Sequence, residues 1–366
     1  MLALPEFPQG AACAATGEPT LDDKIGFLSA PAAYGAAVVA VDTRETHMSW
    51  VFLAGDRVYK LKKAVRFAYL DFSTLDRRGA ACRAEYRLNR RLAPDTYLGV
   101  VPLTVAATGL ELSGSGRIVD WLVVMKRLPD DETLDRALRG GALAPRQVDR
   151  VAATLEAFYA HADRVQFSVD HELAARHAAL RDDCRVLLNA RFGLPLGIIE
   201  RIAHAQRRFL AARADLIVQR IRARQFVDAH GDLRPEHIWL CEPITIIDCL
   251  EFDAQLRAGD PLDEVAFLHL ECERLGQRWV GERIRRRLAH ILREDPTNGL
   301  FEFYRSRRAM LRARLSIAHL FDQAPRTPDK WPRLARAYLA LAAADAACLE
   351  RLLGDQRPRL RRPTDR

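Results

Sequence analysis

Lysine is scarce in this sequence: Lys24, Lys60, Lys62, Lys63, Lys126 and Lys330 are the only ones among 56 basic residues, and arginine supplies the rest. No Cys-x-x-Cys pair occurs. The seven cysteines (Cys13, Cys82, Cys184, Cys241, Cys249, Cys272 and Cys348) stand singly and without a framework of spacings. That excludes a zinc ribbon or a disulfide scaffold, and predicts reduced thiols in a cytoplasmic protein. No apolar run is long enough to span a bilayer, and the richest stretch, Leu339 to Cys348, is interrupted by Asp345. The first twenty residues lack a basic segment and carry Pro5 and Pro8, which argues against a signal peptide. The formal charge is +8, yet no zinc-finger spacing, RNP motif or basic zipper accompanies it. Although Arg283–Arg287 and the segment 357–366 are densely basic, a solvated arginine face is expected rather than nucleic-acid binding.

The 366 residues, 49% hydrophobic and 28% charged, exceed the size at which one core usually stops growing, so two lobes are expected. Residues 1–30, rich in Pro, Gly and Ala, read as a tail or loosely docked arm. Strands are expected at Val38–Val41, Trp50–Leu53 and Val58–Leu61, the last two joined by a hairpin turn at Ala54-Gly55-Asp56-Arg57. A helix over Arg77–Leu92 follows, then strands at Val100–Ala106, Leu110–Leu112 and Ile118–Met125. After Pro129 the pattern turns helical: Val148, Val151, Leu155, Phe158 and Ala162 recur every three or four residues. The expected division is a tail (1–30), a small antiparallel β lobe with one helix (31–128), a larger helical lobe (129–355) and a basic disordered tail (356–366). This is an α+β plan, and clefts between lobes commonly bind ligands.

The helical part is interrupted once, by His230-Gly231-Asp232-Leu233-Arg234-Pro235-Glu236-His237, a short hairpin, and the apolar strand Ile244–Ile247 ending in Asp248. Phosphoryl transfer calls for this set: one carboxylate near the acceptor hydroxyl and another holding Mg²⁺ against the phosphates. The pattern resembles the aminoglycoside phosphotransferase family, which has His-Gly-Asp-Leu, three residues, Asn, and later Ile-Asp. The resemblance implies a protein-kinase-like fold, ATP and Mg²⁺ as cofactors, Asp232 as catalytic base and Asp248 as principal Mg²⁺ ligand. His237 stands where the family has Asn, and imidazole is a poorer ligand for hard Mg²⁺ than an amide oxygen. The second metal position is then weakened or absent, or His237 serves only to hydrogen-bond Asp232 or Asp248.

In the β lobe, Val58, Lys60 and Lys62 share a strand face. Val58 suits the adenine-packing position two residues before a phosphate-binding lysine, so Lys60 is expected in that role, with Lys62 as the alternative. Glu85, in the following helix, is the expected ion-pair partner of Lys60, or else a surface residue paired with Arg78 or Arg87. The loop Thr43–Ser49 sits where a phosphate-covering loop would lie but has no glycine, leaving the hydroxyls of Thr46 and Ser49 as contacts. Backbone groups near Met125, in the segment Val123–Leu128, are expected to bind adenine. Asp260 and Glu264 match a helix start that braces the catalytic loop. Tyr304, Arg308 and Arg312 lie on one helical face, to bind an anionic group or to pair internally with those two acids.

Glu45–Leu53, Tyr69–Leu75, Leu88–Pro94, Tyr97–Thr104 and Ile247–Phe252 further resemble an uncharacterised bacterial branch of that family, often fused to a C-terminal P-loop ATPase domain. No GxxxxGK[ST] occurs here, so that second domain is expected to be absent. The expectation is a phosphotransferase acting on a hydroxyl of a small molecule, without nucleic-acid or membrane partners. The arginine-rich C-terminal helices favour an anionic acceptor over an aminoglycoside. The rival is an ATP-binding pseudokinase that regulates a partner.

Overall fold

The computed structural model describes residues 18–67, 69–321 and 327–355. The described residues form two compact units. One comprises the described residues up to Tyr86 together with Tyr97–Arg127; the other comprises Arg87–Thr96 and the described residues from Leu128 onward.

The first unit begins with α1 (Leu21–Ser29), whose N-cap Thr20 exchanges bonds with Asp23 in a capping box. Six of the strands form one antiparallel sheet in the order β1-β2-β3-β8-β6-β7. They are β1 (Val41–Glu45), β2 (Ser49–Ala54), β3 (Arg57–Lys62), β6 (Tyr97–Ala106), β7 (Gly109–Leu112) and β8 (Arg117–Lys126), with the two-residue pair β4 (Arg66–Phe67) and β5 (Leu70–Asp71) lying outside the sheet. The helix α2 (Leu75–Asn89) follows β5 in the chain. Leu28 of α1 packs with Phe52, Leu61, Leu103, Val119 and Leu122 in a core on one face of the sheet.

Three expectations about this unit are corrected. Residues 18–30 are not a tail: α1 is anchored by Lys24, whose buried ammonium donates to the Val119 carbonyl (2.9 Å) and to Asp120 (2.8 Å). The remainder of that segment, 1–17, and the basic tail 356–366 lie outside the described residues. The first strand is Val41–Glu45 rather than Val38–Val41, and Val39 is 90% exposed. The hairpin after Ala54 ends β2 there, opposite Val41, so nothing remains for residues before Val41 to pair with. The segment Arg87–Thr96 groups with the second unit and not with residues 31–128.

The second unit holds α3 (Leu134–Gly140), α4 (Pro145–His161), α5 (Val169–Leu187), α6 (Leu196–Arg222), the short α7 (Ala254–Arg257), α8 (Pro261–Arg274), α9 (Arg278–Leu292), α10 (Leu300–Ala318) and α11 (Lys330–Asp355). Val148, Val151, Leu155 and Phe158 form the buried stripe of α4 that the spacing predicts. Hydrophobic clusters fill the unit, one around α4, α8 and α9, one around α6, α10 and α11, and a smaller one at Leu180, Cys184 and Ala203. Strands are few: β9 (Val227–Asp228) pairs with β12 (Ala258–Gly259), and β10 (Ile238–Trp239) with β11 (Thr245–Ile246).

Asp120 receives both Lys24 and Arg78, each nearly buried. Replacing it with Ala strands two desolvated cations, which costs about 3–5 kcal/mol. Asp120→Ala is therefore expected to lower the urea midpoint sharply, and an unchanged midpoint would show that α1 is not held this way.

Candidate active site

In the first unit, β3 turns Val58, Lys60 and Lys62 to the face opposite Leu61. Lys60 Nζ lies 2.9 Å from Glu85 Oε1 and Lys62 Nζ lies 2.6 Å from Glu85 Oε2. Glu85 is fully buried, so this carboxylate is held by charge-assisted bonds from both lysines rather than by Arg78 or Arg87. The lysines differ in access. Lys62 is 1% exposed in its side chain and lies over the Phe72 ring at 5.0 Å, whereas Lys60 retains 15% exposure.

Of the two loop hydroxyls expected to contact phosphate, that of Thr46 is bonded within the β1–β2 turn. Thr46 Oγ1 donates to the Ser49 carbonyl and accepts the Ser49 N–H, both at 2.9 Å, closing the β1–β2 turn, while Ser49 is 2% exposed. The Thr46 hydroxyl and the Ser49 backbone serve the turn, and a phosphate reaching Thr46 would have to displace those bonds. Met125 stands next to the end of β8, which closes at Lys126. It lies within β8 with Val58 of β3 on one side and Tyr97 of β6 on the other.

In the second unit, the loop after β9 carries Asp232 and the end of β11 leads to Asp248. Two histidines tie them together. His230 Nδ1 accepts the Asp232 N–H (3.3 Å), so its Nε2 carries the proton that binds the Ile247 carbonyl (2.9 Å). Burial holds its pKa down at about 4, with nearby His237 a lesser cause, which agrees with a neutral ring. His237 uses the opposite tautomer. Its Nδ1 lies 2.9 Å from the Asp232 carbonyl, which can only accept, so Nδ1 carries the proton. That leaves Nε2 at 3.6 Å from Asp248 Oδ2, a nitrogen lone pair facing a carboxylate unless a proton or cation lies there. His237 Nδ1 is also 3.8 Å from Asp232 Oδ2, so one imidazole lies beside both acids.

Asp248 adopts left-handed backbone (φ 64°), sparsely populated by residues with a Cβ and common at functional turns. Its neighbours hold that conformation. Cys249 N donates to Asn89 Oδ1 (2.8 Å), Leu250 N to the His230 carbonyl (3.0 Å), and Ile247 N to the His237 carbonyl (3.0 Å). Arg91 reaches the carbonyls of Asp228 and Ala229, both at 2.8 Å. These bonds explain why Arg87–Thr96 groups with this unit. Asn89 and Arg91 were absent from the expected site, although the segment Leu88–Pro94 carried the signal.

The helix α8 supplies the brace. Glu264 accepts the N–H groups of His230 (3.1 Å) and Gly231 (2.6 Å) and the Tyr159 hydroxyl (2.8 Å). Asp260 caps α8 by accepting the Leu262 N–H (2.9 Å) and is held by Arg220 (2.7 Å) and the Tyr304 hydroxyl (3.0 Å). The acids thus divide their work, one holding the loop and the other the helix. Arg308 pairs with Asp263 at 2.7 Å rather than with Glu264, and Arg312 lies 3.6 Å from Glu271. Internal pairing accounts for Tyr304, Arg308 and Arg312, and the arginines of α10 say nothing about the acceptor's charge.

A metal can be tested against these donors. Asp248 keeps its carboxylate 47% exposed and Asp232 26%, and hard oxygens of this kind suit Mg²⁺. Among the described residues no three His, Cys, Asp or Glu side chains are grouped as a metal cage. Magnesium commonly relies on one or two carboxylates completed by phosphate and water, so the donor set fits it, with His237 the weakest member.

No family model matches the chain. Among solved structures, a choline/ethanolamine kinase family protein from Mesorhizobium loti superposes with a TM-score of 0.51, at 17% identity, over 92% of this chain and 95% of that one. A thermostable mutant of aminoglycoside phosphotransferase APH(4)-Ia gives 0.50, at 13% identity, over 85% and 95%. The chain has the kinase-like fold. That fold is α+β, with an antiparallel-sheet unit and a helical unit. Uncharacterized proteins of Mycobacterium bovis and Mycobacterium tuberculosis are 32% identical over 289 residues, 78% of this chain. The chain spans 56% of the length of these curated relatives.

The depressed pKa of His230 makes a pH prediction. Above the unfolded value of 6.5 the ring is neutral in both states. As pH falls through 6.5 toward about 4, only the unfolded chain takes up the proton, so stability is lost in that window, by on the order of 3 kcal/mol. In His230→Gln, unfolding free energy measured by urea titration is expected to fall less between pH 7 and pH 4.5 than in wild type. Equal pH dependence would mean that His230 is not buried neutral.

Proposed function

We propose that the protein is an ATP-dependent phosphotransferase that transfers the γ-phosphoryl group to a hydroxyl of a small molecule. The observation carrying this reading is the loop that sets Asp232 and Asp248 against one imidazole, in a chain of kinase-like fold. Asp232 would orient the acceptor hydroxyl and take its proton. Asp248, with His237 beside it, would hold Mg²⁺, which when bound neutralises phosphate charge. Lys60, held by Glu85 and the more exposed of the two lysines, would bind the α- and β-phosphates, with Lys62 supporting Glu85 from the buried side. Positioning and charge complementarity would supply most of the rate, as is general for phosphoryl transfer.

Isothermal titration of ATP with and without Mg²⁺ tests the reading. Metal-dependent binding to wild type, lost in Asp248→Ala and weakened in Lys60→Met, is the expected result. Binding to Asp248→Ala as tight as to wild type would remove the assignment. With an acceptor found by screening hydroxylated metabolites, Asp232→Asn is expected to reduce kcat about 10²–10⁴-fold with little change in ATP affinity.

His237 and the glycine-free β1–β2 turn favour one second reading, an ATP-binding pseudokinase with a regulatory role. It predicts nucleotide binding indifferent to metal and no turnover with any acceptor. His237→Asn separates the two: if the imidazole ring alone blocks the second metal position, the substitution should create metal-dependent ATP turnover where wild type has none.

A further inference from the structure

Away from Asp232 and Asp248, the second unit contains a cavity of about 400 Å³ where the ends of α6 and α9 meet the start of α8. Its lining includes Arg164, Arg224 and Arg293, all exposed, and among the described residues none of the three has a carboxylate within ion-pairing distance. Of the other polar lining residues, Arg220 holds Asp260 and His290 Nε2 lies 3.3 Å from Glu156. The carbonyls at the two helix ends are also satisfied. Those of Gln219, Arg220 and Ile221 accept from the turn after α6, and those of Leu292 and Arg293 accept from the Arg220 guanidinium. The negative ends of both helices are thereby masked, leaving a cavity of positive potential.

Two features point to a ligand rather than to a solvated surface. Arg224 and Arg293 both occupy left-handed backbone (φ 52° and 49°) just past a helix end, where glycine is the usual residue, and both line this cavity. The side-chain oxygen of Gln225 is buried there without a hydrogen-bond partner, an acceptor in want of a donor.

We propose that this cavity binds a phosphate monoester that carries hydroxyl groups, the phosphate taken by Arg164, Arg224 and Arg293 and a hydroxyl donated to Gln225. Two lining residues connect it to the catalytic loop. Tyr159 donates to Glu264, which holds His230 and Gly231, and Arg220 holds Asp260 at the head of the same helix. Occupancy would therefore bear on the loop that carries Asp232, as a regulatory site would. The proposal does not depend on the chain's being a phosphotransferase.

The test is isothermal titration of glycerol phosphate into the full chain at low ionic strength, with glycerol and inorganic phosphate as comparisons. Wild type is expected to bind glycerol phosphate at millimolar or lower concentration, more tightly than inorganic phosphate, and not to bind glycerol. Affinity should fall at least about tenfold in Arg224→Gln/Arg293→Gln, as expected for losing charge-assisted bonds. It should be unchanged in Lys60→Met and Asp248→Ala. Undiminished affinity in the double variant, loss in Lys60→Met, or no binding to wild type would each overturn the proposal. Should the double variant fail to fold, Arg164→Gln serves in its place, and unchanged affinity there has the same consequence.

Discussion

The carboxylate of Glu264 is the constraint on which the rest of the second unit turns. It is buried, and burial pushes its pKa up, while the N–H groups of Gly231 and His230 and the Tyr159 hydroxyl pull the other way. A buried carboxylate costs free energy unless it is bonded on all sides, and here each bond is made to something the site needs. Two belong to the loop that carries Asp232. The third fixes α4 against α8. Gly231 itself sits at φ 87°, and a Cβ there would come within 2.9 Å of Leu250, so the loop can approach Glu264 only with glycine at this position. From this anchor the order passes to His230, whose ring ties Asp232 N–H to the Ile247 carbonyl, and so to Asp248.

Arginine plays the part in this protein that apolar contact usually shares with lysine. Arg220, Arg257, Arg305, Arg307 and Arg308 are largely withdrawn from solvent, each bonded to a carboxylate such as Asp260, Asp228, Glu273, Asp183 or Asp263. The planar guanidinium can satisfy several acceptors at once, which an ammonium does with less geometric definition. Arg220 alone serves Asp260 and two backbone carbonyls. Much of the basic character counted in the sequence is thus internal mortar. The cavity beside Arg224 and Arg293 is distinguished from it by guanidiniums that have no such carboxylate among the described residues.

The tautomers of His230 and His237 follow from backbone carbonyls rather than from either aspartate. Each ring gives its proton to a main-chain oxygen and turns its remaining nitrogen elsewhere, one to the Asp232 amide and one toward the Asp248 carboxylate. The position that the resemblance reserves for Asn therefore still contributes a donor to the loop that carries Asp232. It differs in what it presents to Asp248: a nitrogen lone pair instead of an amide oxygen, which is a softer partner for a hard cation.

The sequence by itself determined the division into a sheet-bearing part and a helical part, because period-two and period-3.6 patterns are local and survive without knowledge of the fold. It determined the hairpin at Gly55, the buried stripe of α4 and the order in which Lys60, Glu85, Asp232 and Asp248 appear. Tertiary structure decided what depends on partners distant in the chain. It gave Lys60 and Lys62 one shared carboxylate, withdrew Lys62 from solvent, spent the Thr46 hydroxyl on a turn, and set Met125 between two strands. It docked α1 through Lys24 onto Asp120, although that segment's composition reads as a tail, since a buried ion pair leaves no periodic trace. It also assigned Asn89 and Arg91 to the loop around Asp248, because hydrogen bonds to backbone groups spanning more than a hundred residues are set by three-dimensional proximity, which no local pattern encodes.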